Sequence, residues 1–188
     1  MNICRRALLA ALVAASSACE KPAPADPALL STSTIKDLMD SMVDPSADYL
    51  FESVAQIADE HGVREKAPHT PEEWKEARRR AVQLLEAPNL LAMRGRIVAR
   101  PGERSENPSV ELQPEEIQKL IDADHAAFVT RARLLQDAAQ AALVAIDAKD
   151  AKGLFNAAGQ LDKACESCHL KYWYPNDKRA QEAFKGNQ

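Results

Sequence analysis

Cys165-Glu166-Ser167-Cys168-His169 sets two thiols three residues apart, with an imidazole directly after the second. This C-x-x-C-H spacing is the attachment pattern of a c-type haem. Each thiol can add across one vinyl group, and the adjoining imidazole can give a ring nitrogen to the iron. Positions three and four apart share a helix face, so Cys165, Cys168 and His169 can address one ligand together. Two other chemistries use paired cysteines. A structural zinc site wants four ligands, usually from a second Cys/His pair, and the sequence offers none. A thioredoxin-like pair belongs with a βαβ pattern, and no strand pattern is visible. The motif predicts one covalent haem c per chain, with His169 as a ligand to its iron.

The motif must be held by a helix. Leu154, Ala158, Leu161, Cys165, Cys168 and Tyr172 step alternately by four and three residues, which is a bundle seam. The thiols stand where core residues belong, so the haem is expected inside the bundle. Pro175 ends this helix, and residues 176–188 read as a polar tail.

Three further helices are predicted upstream. The first begins near Ser31–Thr34, where hydroxyls can cap it, and turns Ile35, Leu38, Met39 and Met42 to one face. Pro45 kinks or interrupts it and pushes Asp44 from helical geometry. Leu50, Val54, Ile57 and Ala58 resume the face, ending at Gly62. The second opens on Thr70-Pro71-Glu72-Glu73, a capping box with proline at the first helical position. Trp74, Ala77, Ala81, Leu84 and Leu85 form its inner face, and Pro88 marks a bend or an end. The third starts at Gln113-Pro114-Glu115-Glu116 and runs to Asp147, about 50 Å at 1.5 Å per residue. Ala148-Lys149-Asp150 turns the chain into the last helix. Residues 94–112, rich in Arg, Pro and Gly, carry no periodic pattern. They read either as a solvated basic loop or as a flap over the haem edge, with Arg94, Arg96 or Arg100 pairing a haem propionate. Few aromatics and abundant Ala, Leu and charged residues agree with an all-α chain. Four helices joined mostly by short connections predict an up-down-up-down four-helix bundle over residues 31–175.

That topology filters the second axial position. The end of the last helix lies level with the beginnings of the first and third, which leaves Met39, Met42 and His125 open as sixth ligands. His61 and His69 fall at the far end, and Met93 lies at the edge of the long loop. Two of four methionines share one turn opposite the predicted haem.

On these residues the chain resembles the class II c-type cytochromes, the cytochrome c-prime and low-spin four-helix group. The likeness covers residues 31–175 in architecture, and its specific part is C-x-x-C-H near the end of the last helix. It implies thioethers at Cys165 and Cys168 and a proximal ligand at His169. In low-spin members a first-helix methionine is the sixth ligand, which implies Met39, with Met42 as runner-up. High-spin members carry an arginine soon after the haem histidine, behind an aromatic residue. Here Tyr172 matches the aromatic and Trp173 stands in the arginine's place.

Residues 1–18 read as a signal peptide: Arg5 and Arg6, an apolar run Ala7–Ala15, then Ser16-Ser17-Ala18 as a small-residue cleavage site. The apolar run is too short for a membrane span. Cleavage before Cys19 would make a lipoprotein anchored through that cysteine, and an ordinary periplasmic protein is the other reading. Residues 19–30, rich in proline and alanine, suit a leader or a tether. Cys4 leaves with the signal. Loss of Arg5 and Arg6 leaves 22 of the 24 basic side chains against 28 acidic ones, a net charge of −6. This balance does not suit nucleic acid and favours a basic protein partner. The expected function is single-electron transport by an exported monohaem cytochrome with His/Met ligation, serving redox partner proteins. A five-coordinate haem module that binds or senses NO or CO is the alternative. No nucleophile–base constellation points to catalysis. The sequence leaves open whether the protein forms a homodimer.

Overall fold

A computed structural model of the chain describes residues 30–60 and 62–186, apart from the side chains of Ala58 and Asp59. The expected signal peptide, Cys4, Cys19 and His61 lie outside these residues.

Helix α1 (Ile35–Leu38) starts at Thr34, where the expected hydroxyl cap is a reciprocal box. The Thr34 hydroxyl accepts from the Asp37 amide, and the Asp37 carboxylate accepts from the Thr34 amide, both at 2.9 Å. The Ile35 and Lys36 amides, which no helical carbonyl can serve, donate to the Ile97 and Val98 carbonyls at 2.9 Å. A π turn, Met39–Val43, leads straight into α2 (Asp44–Ser53). Asp44 therefore stays helical (φ −60°, ψ −52°), contrary to the expectation drawn from Pro45, and its amide donates to the Met39 carbonyl five residues back. Proline has no amide to close the ordinary ring and crowds the carbonyl four residues before it. The wider turn accommodates both effects without a break.

The predicted run to Gly62 ends sooner. Val54 is extended (φ −133°, ψ 135°), and β1 (Ala55–Asp59) pairs antiparallel with β2 (Gly62–Lys66), Ala55 facing Lys66. Ile57 and Val63 remain 41% and 70% exposed, so helical spacing here had no core face to bury. Gly62 takes φ +112°, in the left-handed region that suits glycine, as a hairpin residue rather than a helix stop.

Helix α3 (Pro71–Leu91) opens on its predicted capping box. The Glu73 amide donates to the Thr70 hydroxyl at 3.2 Å and the Thr70 amide to the Glu73 carboxylate at 2.9 Å. Pro88 sits buried inside its last turn. The single third helix is two: α4 (Pro114–Ala123) and α5 (His125–Asp147). Asp124 breaks the run at φ −147°, ψ 73°, and its carboxylate accepts from the Ala127 amide at 3.0 Å, starting α5 afresh. Helix α6 (Ala151–Tyr172) is capped by Asp150, which accepts from the Gly153 amide at 3.0 Å. Beyond Pro175, α7 (Lys178–Gly186) occupies the stretch read as a polar tail, with the Asp177 carboxylate accepting from its first amides.

The chain is mostly helical. Helix α3 packs on α5, α5 on α6, α6 on α2, and α2 back on α3. Leu50, Leu84, Leu154 and Leu161 are fully buried where these helices meet. Each such leucine contributes about 1.5–3 kcal/mol relative to an exposed one. Ala77, Ala81, Ala139, Ala142 and Ala157 are buried as well, and side chains that stop at Cβ let the helices approach closely. Held from two sides, α6 presents its second half, with the C-x-x-C-H motif, to α2 and α5. No described helix is long and apolar enough to cross a membrane.

Candidate functional site

A cavity of about 410 Å³ opens beside that half of α6. Ala164, Cys165, Cys168 and His169 form one wall; Met39 and Val43 of the π turn, with Asp44, Ala47, Asp48 and Phe51, form another. Leu91, Phe128, Arg131, Ala132 and Leu135 complete it from α3 and α5. The volume falls in the range of small-molecule and cofactor sites, roughly 300–1,000 Å³, and apolar walls with few polar groups are their usual make-up. A second pocket of about 190 Å³ lies beneath the 94–112 loop, lined by Lys36, Val98, Arg104, Leu112, Trp173 and Tyr174 among others. Met39, Asp44 and His169 border both spaces.

The residues singled out by type and spacing thus come together. Cys165 and Cys168 are free thiols on one face of α6, and burial pushes each thiol up to about 12. Both are therefore neutral at physiological pH. Burial also lowers His169, keeping its imidazole neutral and able to act as a ligand. The ring lies 5.8 Å from those of Trp173 and Tyr174, and the Tyr174 hydroxyl is anchored at 2.7 Å on Glu166. Phe128 meets Tyr172 edge-on at 5.4 Å. Burial pushes the Asp44 carboxyl up, with the Asp48 and Asp40 charges adding to the effect.

Of Met39, Met42, His125 and Met93, Met39 alone borders the cavity. Met42 lines neither space, His125 lies against Phe128 at 6.4 Å, and the Met93 sulfur sits 3.2 Å from the Arg96 guanidinium. The π turn positions Met39, because its i→i−5 bond adds one residue between the Thr34 cap and the fixed face of α2.

The long loop is latched at three points. Its carbonyls receive the first amides of α1, the Val98 amide donates to Gln118 at 2.8 Å, and the Leu112 amide donates to the Trp173 carbonyl at 2.7 Å. Two of the three arginines proposed for a propionate are otherwise engaged. Arg96 is buried, donating from Nε to the Leu90 carbonyl at 2.7 Å and from Nη1 to the Ser33 carbonyl. Arg100 pairs with Asp37 at 2.7 Å. Arg94 lines neither space.

The cation that does face the cavity, Arg131, escaped the sequence reading. Its signal was there: it follows Phe128 by three residues and precedes Leu135 by four, a charge on the apolar face of α5. Asp44 and Phe51 were missed likewise. Among the described residues no group of three or more His, Cys, Asp or Glu is placed to hold a metal ion directly. The walls do fit a flat, largely apolar macrocycle: two thiols, a neutral imidazole and a thioether reach one space lined mostly by Phe, Leu, Val and Ala, with Asp44, Asp48 and Arg131 as its charged members. No family model, no curated protein and no solved structure matches the chain.

Proposed function

We propose that the protein is an exported monohaem electron carrier, a four-helix cytochrome of the class II kind. The observation that carries this reading is the convergence of Cys165, Cys168, His169 and Met39 on one apolar cavity. The closed circuit of contacts among α2, α3, α5 and α6 supports the bundle. When bound, haem supplies one-electron chemistry, its iron alternating between the ferric and ferrous states. Cys165 and Cys168 would hold it through thioethers, one helical turn apart on α6. His169 would give a neutral ring nitrogen from the same face, and Met39 a thioether sulfur from the π turn. A thioether ligand stabilises the reduced iron, and the apolar walls disfavour the extra charge of the oxidised centre, so both raise the potential. Phe128, Leu135 and Val43 would pack apolar surface against the bound group. The carrier would work in the periplasm, free or tethered through a lipid on Cys19, and hand electrons to partner proteins. Its acidic balance suits a basic docking face on such a partner.

The test is the visible spectrum of protein made in a host that attaches haem c. A reduced, low-spin spectrum indifferent to carbon monoxide is expected. A high-spin spectrum that shifts with carbon monoxide would replace the carrier with a five-coordinate module for diatomic gases.

A further inference from the structure

We propose that Pro45 is the positioning residue for the sixth iron ligand: by widening the turn before α2 it sets Met39, and not Asp40, against the cavity. The inference rests on the haem reading above. Asp44 and Asp48 line the cavity four residues apart on α2. In a regular helix that strip would continue four residues back, at Asp40. The Asp44 amide instead donates to the carbonyl of Met39, five residues back. Met39 therefore takes the cavity wall, whereas Asp40 borders only the smaller pocket and pairs with Lys36 at 3.3 Å. The core shows the same surplus residue. Leu38 and Val43 are both buried although five residues apart. A regular helix, at about 100° per residue, would turn them roughly 140° from each other. Met42, one regular turn after Leu38, is only partly buried.

Pro45 supplies the cause. It has no amide for the Ser41 carbonyl, and in a regular helix its ring would crowd that oxygen. One extra residue in the turn before it removes the conflict. The choice bears on the chemistry: a thioether stabilises ferrous iron, whereas a carboxylate would bring negative charge that favours the ferric state.

Pro45→Ala returns the amide and removes the ring, so the turn should close as a regular helix and bring Asp40 into the place of Met39. The natural protein and the variants are made with haem attached. Pro45→Ala should exchange the low-spin spectrum for one that shifts with carbon monoxide, and Pro45→Ala with Asp40→Met should restore it. Through-hydrogen-bond NMR couplings, read in the reduced protein under carbon monoxide, follow the register itself. The Asp44 amide should couple to the Met39 carbonyl in the natural protein and to the Asp40 carbonyl in Pro45→Ala. Pro45→Ala with Ser41 deleted removes the surplus residue and leaves Met39 four residues before Asp44. That variant should stay low-spin, and it serves as the test if Pro45→Ala does not accumulate; a spectrum that shifts with carbon monoxide there overturns the proposal. So does a Pro45→Ala protein that remains indifferent to carbon monoxide, or one that Asp40→Met fails to restore. A natural protein that itself binds carbon monoxide sinks the methionine ligand and this assignment together. A low-spin natural protein with a low-spin Pro45→Ala sinks the assignment alone.

Discussion

Arg96 is the residue on which the 94–112 loop hangs, and its replacement should cost the same stability whether or not haem is bound. The guanidinium donates to the Leu90 carbonyl at 2.7 Å and to the Ser33 carbonyl, tying the loop to the end of α3 and to the residue before the Thr34 cap of α1. Hydrogen bonds that involve a charged partner contribute about 1.5–3 kcal/mol each. The buried guanidinium has no carboxylate partner among the described residues, and its desolvation offsets part of that gain. The Leu90 carbonyl also keeps a backbone donor, the Met93 amide at 3.2 Å. A net loss of about 2–4 kcal/mol follows for Arg96→Ala, with Arg96→Met at the lower end because the stem's packing survives. For a domain of this size the midpoint should fall by roughly 5–15 °C. Thermal unfolding of the chain made with and without haem measures it, and the haem absorbance of the loaded variant is read alongside. A change below about 1 kcal/mol would refute the clamp. A loss confined to the loaded form, with an altered haem spectrum, would mean that Arg96 serves the bound group and not the two carbonyls.

Met39→Ala in the loaded protein should convert a low-spin spectrum into one that binds carbon monoxide and lower the midpoint potential, while Met42→Ala leaves axial coordination unchanged; spectra and redox titration of the two variants check this. The thiols of the haem-free chain should resist alkylation. With both pushed up to about 12 by burial, the thiolate fraction at pH 8 is small, and iodoacetamide should react roughly 10²–10³-fold more slowly than with the unfolded chain. The rate should climb as pH rises towards those values. Equal rates for folded and unfolded chains, followed by mass spectrometry, would contradict the desolvation of these partly buried thiols.

Local chemistry made much of this legible. Thr70–Glu73 forms the box that the sequence spells out, and the four–three spacing from Leu154 to Tyr172 falls on the inward face of α6. What escaped was decided by contacts distant in sequence. Val54 and Ile57 keep helical spacing, but only Val54 reaches the core; Ile57 stays exposed, and a hairpin forms instead. Asp124 was absorbed into a long apolar period, although its carboxylate is a ready N-cap for α5. The arginines of the long loop looked free because the carbonyls that claim Arg96 come from Ser33 and Leu90, and the carboxylate that claims Arg100 belongs to Asp37. Arg131 was hidden for the opposite reason: it sits in a helix whose pattern looked complete without it.

The most direct measurement is the mass of the exported chain under denaturing conditions, from a host able to attach haem c. The polypeptide should carry one haem that survives denaturation, and Cys165→Ala together with Cys168→Ala should abolish that gain. A colourless chain with the mass of the bare polypeptide would contradict the proposal.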